Sequence, residues 1–143
     1  MGGRWALDDG QLKDLKKIEK VRDGLEHDHI PSSAALRKAE ETRLGRSLSR
    51  DEELKIHNEG YTIEVPKDVH RAGDTYKGKN TPAKIAGDAA DLGKAAARDY
   101  ATQTKNLIAA GFSPQDVAAA IDKLRTANQG RGIGWQRSRA TSP

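Results

Sequence analysis

The sequence predicts a mostly helical α+β domain, and three observations predict it. Apolar residues recur at helical spacing in several segments. One β-rich run, residues 61–65, alternates and is closed by Pro66. The last third of the chain is alanine-rich and amphipathic. At 143 residues there is room for one compact domain. Hydrophobic residues make up 35% and aromatic ones 4%, so the core must be built largely from Ala, Leu, Ile and Val. A core this lean commonly gains stability from a bound ion or partner.

The elements follow in order. A first helix is predicted over residues 9–23, because Leu12, Leu15, Ile18 and Val21 recur every three residues; Gly24 can end it. Residues 25–30 read as an extended segment leading to Pro31, which disfavours a helical Ile30. Ser32 or Ser33 can cap a second helix to about Leu44, with Ala34, Ala35, Leu36 and Ala39 facing inward. Ser49 and Glu52 have capping-box spacing, predicting a short helix from Arg50 to His57 or Asn58, stopped near Gly60. After the 61–65 strand, residues 67–73 read as one helical turn carrying His70, and residues 74–82 as loop. From Ala83, the spacing of Ile85, Ala89, Leu92, Ala96, Tyr100, Leu107 and Ile108 predicts one long helix, ended by Gly111. Ser113 and Pro114 open the last helix, marked by Val117, Ile121 and Leu124. A single domain is therefore expected over residues 1–128, with its motifs in 25–80 and its helical part in 82–127. Residues 129–143, rich in Gly and Arg, read as a flexible tail.

Composition excludes several chemistries. The absence of cysteine removes disulfides, thiolate zinc sites and cysteine nucleophiles, so any metal must be held by His, Asp, Glu, Asn or backbone oxygen. A net charge of +4 mildly favours a polyanionic partner, although with acids interspersed a solvated surface is the commoner reading. No apolar run reaches membrane-spanning length, and the first residues lack the apolar core of a signal peptide. The glycines of 130–134 follow a helix instead of opening one after a strand, so they make no phosphate loop. No serine elbow or zinc-protease helix motif is present.

Chemistry concentrates in Asp28-His29-Ile30-Pro31-Ser32 and in His70, ahead of Thr75-Tyr76. An imidazole of near-neutral pKa beside a carboxylate at a strand end can activate water while its neighbour holds a divalent ion. If the 61–65 strand pairs antiparallel with residues 25–30, His70 comes near Asp28 and His29. Asp74, four residues after His70, would share its helix face if the turn extended that far. Asn58 can orient a loop or offer an oxygen to the metal. Thr75, Tyr76, Lys79 and Asn80 can contact phosphate. Each has a plainer reading: a polar turn at 26–29, a surface histidine at 70, a helix cap at Asn58, a polar loop at 75–80. His57 reads as a surface residue, and Trp5 and Trp135 as packing residues.

These residues, with Asn58-Glu59-Gly60-Tyr61-Thr62-Ile63-Glu64-Val65-Pro66 and Thr75-Tyr76-Lys77-Gly78-Lys79-Asn80, resemble C-terminal nuclease domains of bacterial polymorphic toxins, which belong broadly with the HNH or ββα-metal nucleases. The resemblance covers about residues 25–80. It implies a small ββα-metal core, a short β-hairpin plus helix, with flanking helices and a C-terminal helical pair. It implies His29 as general base, Asp28 and His70 as metal ligands with His70 in the catalytic set, and Asn58 as a further ligand or loop-orienting residue. The implied reaction is hydrolysis of DNA phosphodiesters with Mg2+, or Zn2+, Mn2+ or Ni2+. The implied context is injection into a target bacterial cytoplasm by contact-dependent or secretion-system machinery, with a cognate immunity protein as partner and no membrane association. The pattern departs from the family in the long helical stretch after His29 and in the missing second histidine of the final helix. An RNase of the same chemistry is the alternative, as is a nonenzymatic helical module binding DNA or protein.

Overall fold

The β-rich run becomes a central strand, and its burial explains the sheet around it. The computed structural model describes residues 7–16 and 25–134. Among these, β1 (Asp9–Gln11), β2 (Leu25–His29) and β3 (Tyr61–Pro66) form one antiparallel sheet in the order β1-β3-β2. Thr62, Ile63, Glu64 and Val65 are all buried, so the amides and carbonyls of both β3 edges need partners, and a strand on each side supplies them. That demand overrides helical periodicity at residues 9–11, which pair with Ile63, Thr62 and Tyr61 as β1 and do not begin a helix. The helix α1 is Leu12–Lys16; the rest of the predicted first helix and its Gly24 stop lie outside the described residues.

The pairing of β2 with β3 is the expected one, in a register that sets His27 against Glu64, Asp28 against Ile63 and His29 against Thr62. The two strands are not a simple hairpin, because α2 (Ser33–Leu44) and α3 (Arg50–Glu59) are inserted between them. Both helices start where the sequence places them. The Ser32 hydroxyl accepts from the Ala35 amide, and Ser49 with Glu52 forms a complete capping box. Gly45 ends α2 in the left-handed region, at φ 73°. The helix α4 (Lys67–Arg71) leaves β3 directly, so β2, β3 and α4 form a ββα unit with two inserted helices.

The predicted long helix is two helices, α5 (Pro82–Ala90) and α6 (Leu92–Ala109). Asp91 breaks it: its backbone is non-helical and its carboxylate caps α6 by accepting from the Lys94 amide. The break lets Arg98 reach back to Asp88 with two parallel hydrogen bonds of 2.8 and 2.9 Å, while also holding Asp99. The last helix, α7 (Pro114–Gly130), begins at Ser113 and Pro114 as predicted. It runs past residue 128, and Ile133 beyond it is buried. Trp5, Trp135, Arg137 and Arg139 lie outside the described residues.

One face of the sheet, Ile63 and Val65, packs with Val69 of α4, Ala96, Tyr100 and Leu107 of α6, and Val117, Ile121 and Leu124 of α7. Burial of each large aliphatic side chain contributes about 1.5–3 kcal/mol. Asn128 of α7, itself buried, donates to the Ile30 carbonyl and contacts the Tyr100 hydroxyl, both at 2.8 Å, and so ties the end of β2 to α6 and α7.

Candidate active site

The edge strand β2 supplies alternating side chains to two sides of one cleft, as the pleat requires. The cleft measures ≈ 490 Å³, and all four histidines of the chain line it. With them stand Glu26, Asp28, Ser32, Ser33, Thr75 and Asn80.

His29 is held in one orientation. Its Nε2 lies 2.9 Å from the His57 carbonyl oxygen, which can only accept, so the proton sits on Nε2 and Nδ1 keeps its lone pair. The His57 ring lies against it at 4.6 Å between centroids, and His57 Nδ1 shares a 2.8 Å hydrogen bond with Ser33 Oγ at the start of α2. Gly60 supplies the space for this imidazole, since a Cβ there would stand 2.8 Å from His29 Cδ2. Burial lowers the His29 pKa to about 4, so the ring is neutral at physiological pH.

His70 is oriented from α4 by a carboxylate. Its Nδ1 donates to Glu26 Oε1 at 2.6 Å, and the edge of its ring meets Tyr76 at 5.0 Å. Nε2 then faces Asp28 Oδ1 across 3.8 Å. Asp28 accepts from Gln103 Nε2 through its other oxygen, Oδ2. Burial raises the Asp28 pKa to about 7, against the opposing effects of His70 and Gln103.

With Glu26 accepting from Nδ1, the neutral form of His70 keeps its lone pair on Nε2, 3.8 Å from Asp28 Oδ1. Their 3.8 Å separation lies within the span of two ligands on one ion with bonds of about 2.1 Å. A carboxylate behind the histidine is the usual support of a metal-binding imidazole. Among the described residues no group of three or more His, Asp or Glu is placed to hold a metal, so this pair would be completed by water and substrate oxygens.

The other sequence-derived residues separate. Thr75 and Asn80 line the cleft, whereas Tyr76 backs His70. Lys79 is exposed and donates to the Arg71 carbonyl. Asn58 sits near the end of α3 and is not among the lining residues, although its neighbour His57 is. Asp74 lies beyond the end of α4 and does not share its face with His70; its carboxylate accepts from Thr102 of α6 and lies 3.7 Å from Arg98. His57, read as a surface residue, belongs to the cleft.

Sequence reasoning missed Glu26, His57, Gln103 and Asn128. Strand alternation carries a signal for Glu26, which must share a face with Asp28. Gln103 and Asn128 are polar residues on apolar helical stripes, Ala96-Tyr100-Leu107 and Val117-Ile121-Leu124, and a polar group there needs a partner. His57 carries no local signal.

No protein-family model and no solved structure matches the chain. Over 127 residues it is 49% identical to Deoxyribonuclease CdiA of Dickeya dadantii (strain 3937), a match that covers 89% of this chain and 4% of that much longer protein. The chain is thus a relative of one segment of that deoxyribonuclease, in keeping with the nuclease domains that its motifs resemble.

Proposed function

We propose that this chain is a metal-dependent DNA endonuclease, the toxic domain of a polymorphic toxin. The observation that carries the reading is the placement of Asp28 Oδ1 and His70 Nε2 opposite each other in the cleft that His29 lines with its tautomer fixed. In this reading the lone pair of His29 Nδ1 takes the proton of an attacking water. The His57 carbonyl keeps that nitrogen free and stabilises the ring when it becomes charged. Asp28 and His70 hold the ion, and Glu26 keeps His70 turned toward it. A bound divalent ion supplies electrostatic stabilisation of charge on the phosphate and the leaving oxygen. Thr75 and Asn80 offer polar groups to the substrate backbone. The order strand, strand, helix, with the base on the first strand and a ligand on the helix, supports an HNH-like arrangement.

The name of the relative favours DNA over RNA as substrate. The same kinship supports delivery into target bacteria by a contact-dependent or secretion system, and neutralisation in the producer by an acidic immunity protein complementary to this basic domain. No described helix is long and apolar enough to cross a membrane.

The test uses plasmid DNA and total RNA as paired substrates, with Mg2+ or with a chelator. Plasmid cleavage is expected only with the ion, and His29→Ala should abolish it while leaving the melting temperature within a few degrees. Cleavage by that variant, or cleavage in chelator, removes the mechanism. Degradation of RNA alone transfers the chemistry to an RNase. Salt-sensitive DNA binding with no cleavage points to a nonenzymatic module.

A further inference from the structure

Behind Asp28, between β2 and α6, lies a second and much smaller pocket of ≈ 10 Å³, lined among others by Asp28, Thr75, Asp99 and Gln103. Two oxygens of its lining residues, Asp99 Oδ2 and Gln103 Oε1, are buried without a hydrogen-bond partner. Their residues are 6% and 2% exposed, so bulk solvent does not satisfy them. They lie four positions apart on α6, hence on one face of that helix. Both are acceptors and cannot pair with each other. Of the neighbouring donors, Arg98 binds Asp88 and the other oxygen of Asp99, and the Thr102 hydroxyl donates to Asp74.

We propose that this pocket is a binding site for one ordered water that donates to both oxygens, and that the water locks the Gln103 amide with its nitrogen toward Asp28. The volume is that of about one water probe, and a water has the two protons that two orphaned acceptors require. A cation is the poorer occupant, since Asp99 already faces the Arg98 guanidinium. The consequence reaches the cleft. An amide whose oxygen accepts from water presents only its NH2 group to Asp28. Gln103 then pins Asp28 Oδ2 and leaves Oδ1 turned to His70. Gln103 is thus a positioning residue for the Asp28 carboxylate, a role that rests on the reading of Asp28 as an ion ligand.

The wet pocket is tested on the wild-type protein by a high-resolution crystal structure. A single density peak within hydrogen-bond reach of Asp99 Oδ2 and Gln103 Oε1 is expected, and a dry pocket overturns the proposal. The positioning role is tested by Mn2+ titration calorimetry on wild type, Gln103→Met, which keeps length and removes the amide, and Asp28→Ala. Gln103→Met should bind Mn2+ about 10–100-fold more weakly, with an unchanged melting temperature. The side-chain amide signal of Gln103 in 15N-labelled wild type should move on adding Mg2+. Wild-type affinity in Gln103→Met, or an amide signal indifferent to Mg2+, overturns the positioning role. Wild-type protein that binds no Mn2+ defeats the ion-ligand reading itself, and the density in the pocket then decides the water site alone.

Discussion

The space left by Gly60 shows how one residue sets the geometry of the cleft. A methyl group there would stand 2.8 Å from His29 Cδ2 and 3.3 Å from Leu36 Cδ1, and His57 blocks retreat of the ring on another side. Gly60→Ala is therefore expected to displace the imidazole and slow cleavage about 10–100-fold. Overpacking should cost about 1–3 kcal/mol of stability, read by denaturant titration. Asp28 gives a pH prediction. Its folded-state pKa, about 7, lies above the ordinary 3.8, so between these values the ion-free folded protein holds a proton that the unfolded chain has lost. Stability from this group is complete below pH 4 and is lost as pH rises through 7. The ion-free wild type should thus become less stable relative to Asp28→Asn as pH is raised from about 4 to 7, by a few kcal/mol on this linkage, and level off above. A difference that stays flat across that range would refute the assignment. Added Mg2+ should reverse the trend, because an ion bound at Asp28 competes with the proton.

At the scale of elements, the corner between α5 and α6 matters most. Asp88 and Asp99 are buried carboxylates that face one guanidinium, and Asp74 lies within 4 Å of it. Arg98→Met would leave two buried acids without their cation, an expected loss of roughly 3 kcal/mol by thermal or denaturant unfolding. Arg98→Lys should rescue little, because a single ammonium cannot reproduce a fork that serves two carboxylates. A melting temperature unchanged in both variants would show that the corner is held by packing alone. The helix boundaries in this region were only partly legible. Caps at Ser32, Ser49 and Ser113 are local devices and were readable, since a hydroxyl and an amide a few residues apart need no third element. The break at Asp91 was not, because alanine-rich periodicity continues through it and only the packing of α5 on one side and α6 on the other selects two helices. The strand at 9–11 was hidden for a similar reason: its partner lies at least fifty positions along the chain.

For the whole molecule, a net charge of +4 becomes informative once its position is known. Lys67, Arg71, Lys77 and Lys79 are exposed on α4 and the adjoining loop, the same segment that brings His70, Thr75 and Asn80 to the cleft. This puts exposed cations on the chain segment that lines the cleft. If they neutralise phosphates, replacing Lys67 and Lys77 by Gln should weaken binding to any DNA sequence alike. It should also reduce the slope of log affinity against log salt by about 0.9 for each lost contact. An unchanged slope would place the backbone on another face.

The sequence by itself determined which residues carry reactive groups and where local structure starts and stops: Asp28, His29 and His70 as candidates, the β-rich run, the caps, and the resemblance to toxin nuclease domains. Those are properties of residue type and near neighbours, set by side-chain reactivity and by backbone groups that must find partners within a turn. Only the tertiary structure decided what surrounds them. His57 presses on His29 across 28 positions, Glu26 reaches His70 across 44, and Gln103 reaches Asp28 across 75. No periodicity encodes such meetings, because they arise where β2 meets α3, α4 and α6, and burial then shifts the proton affinities that the residues carry.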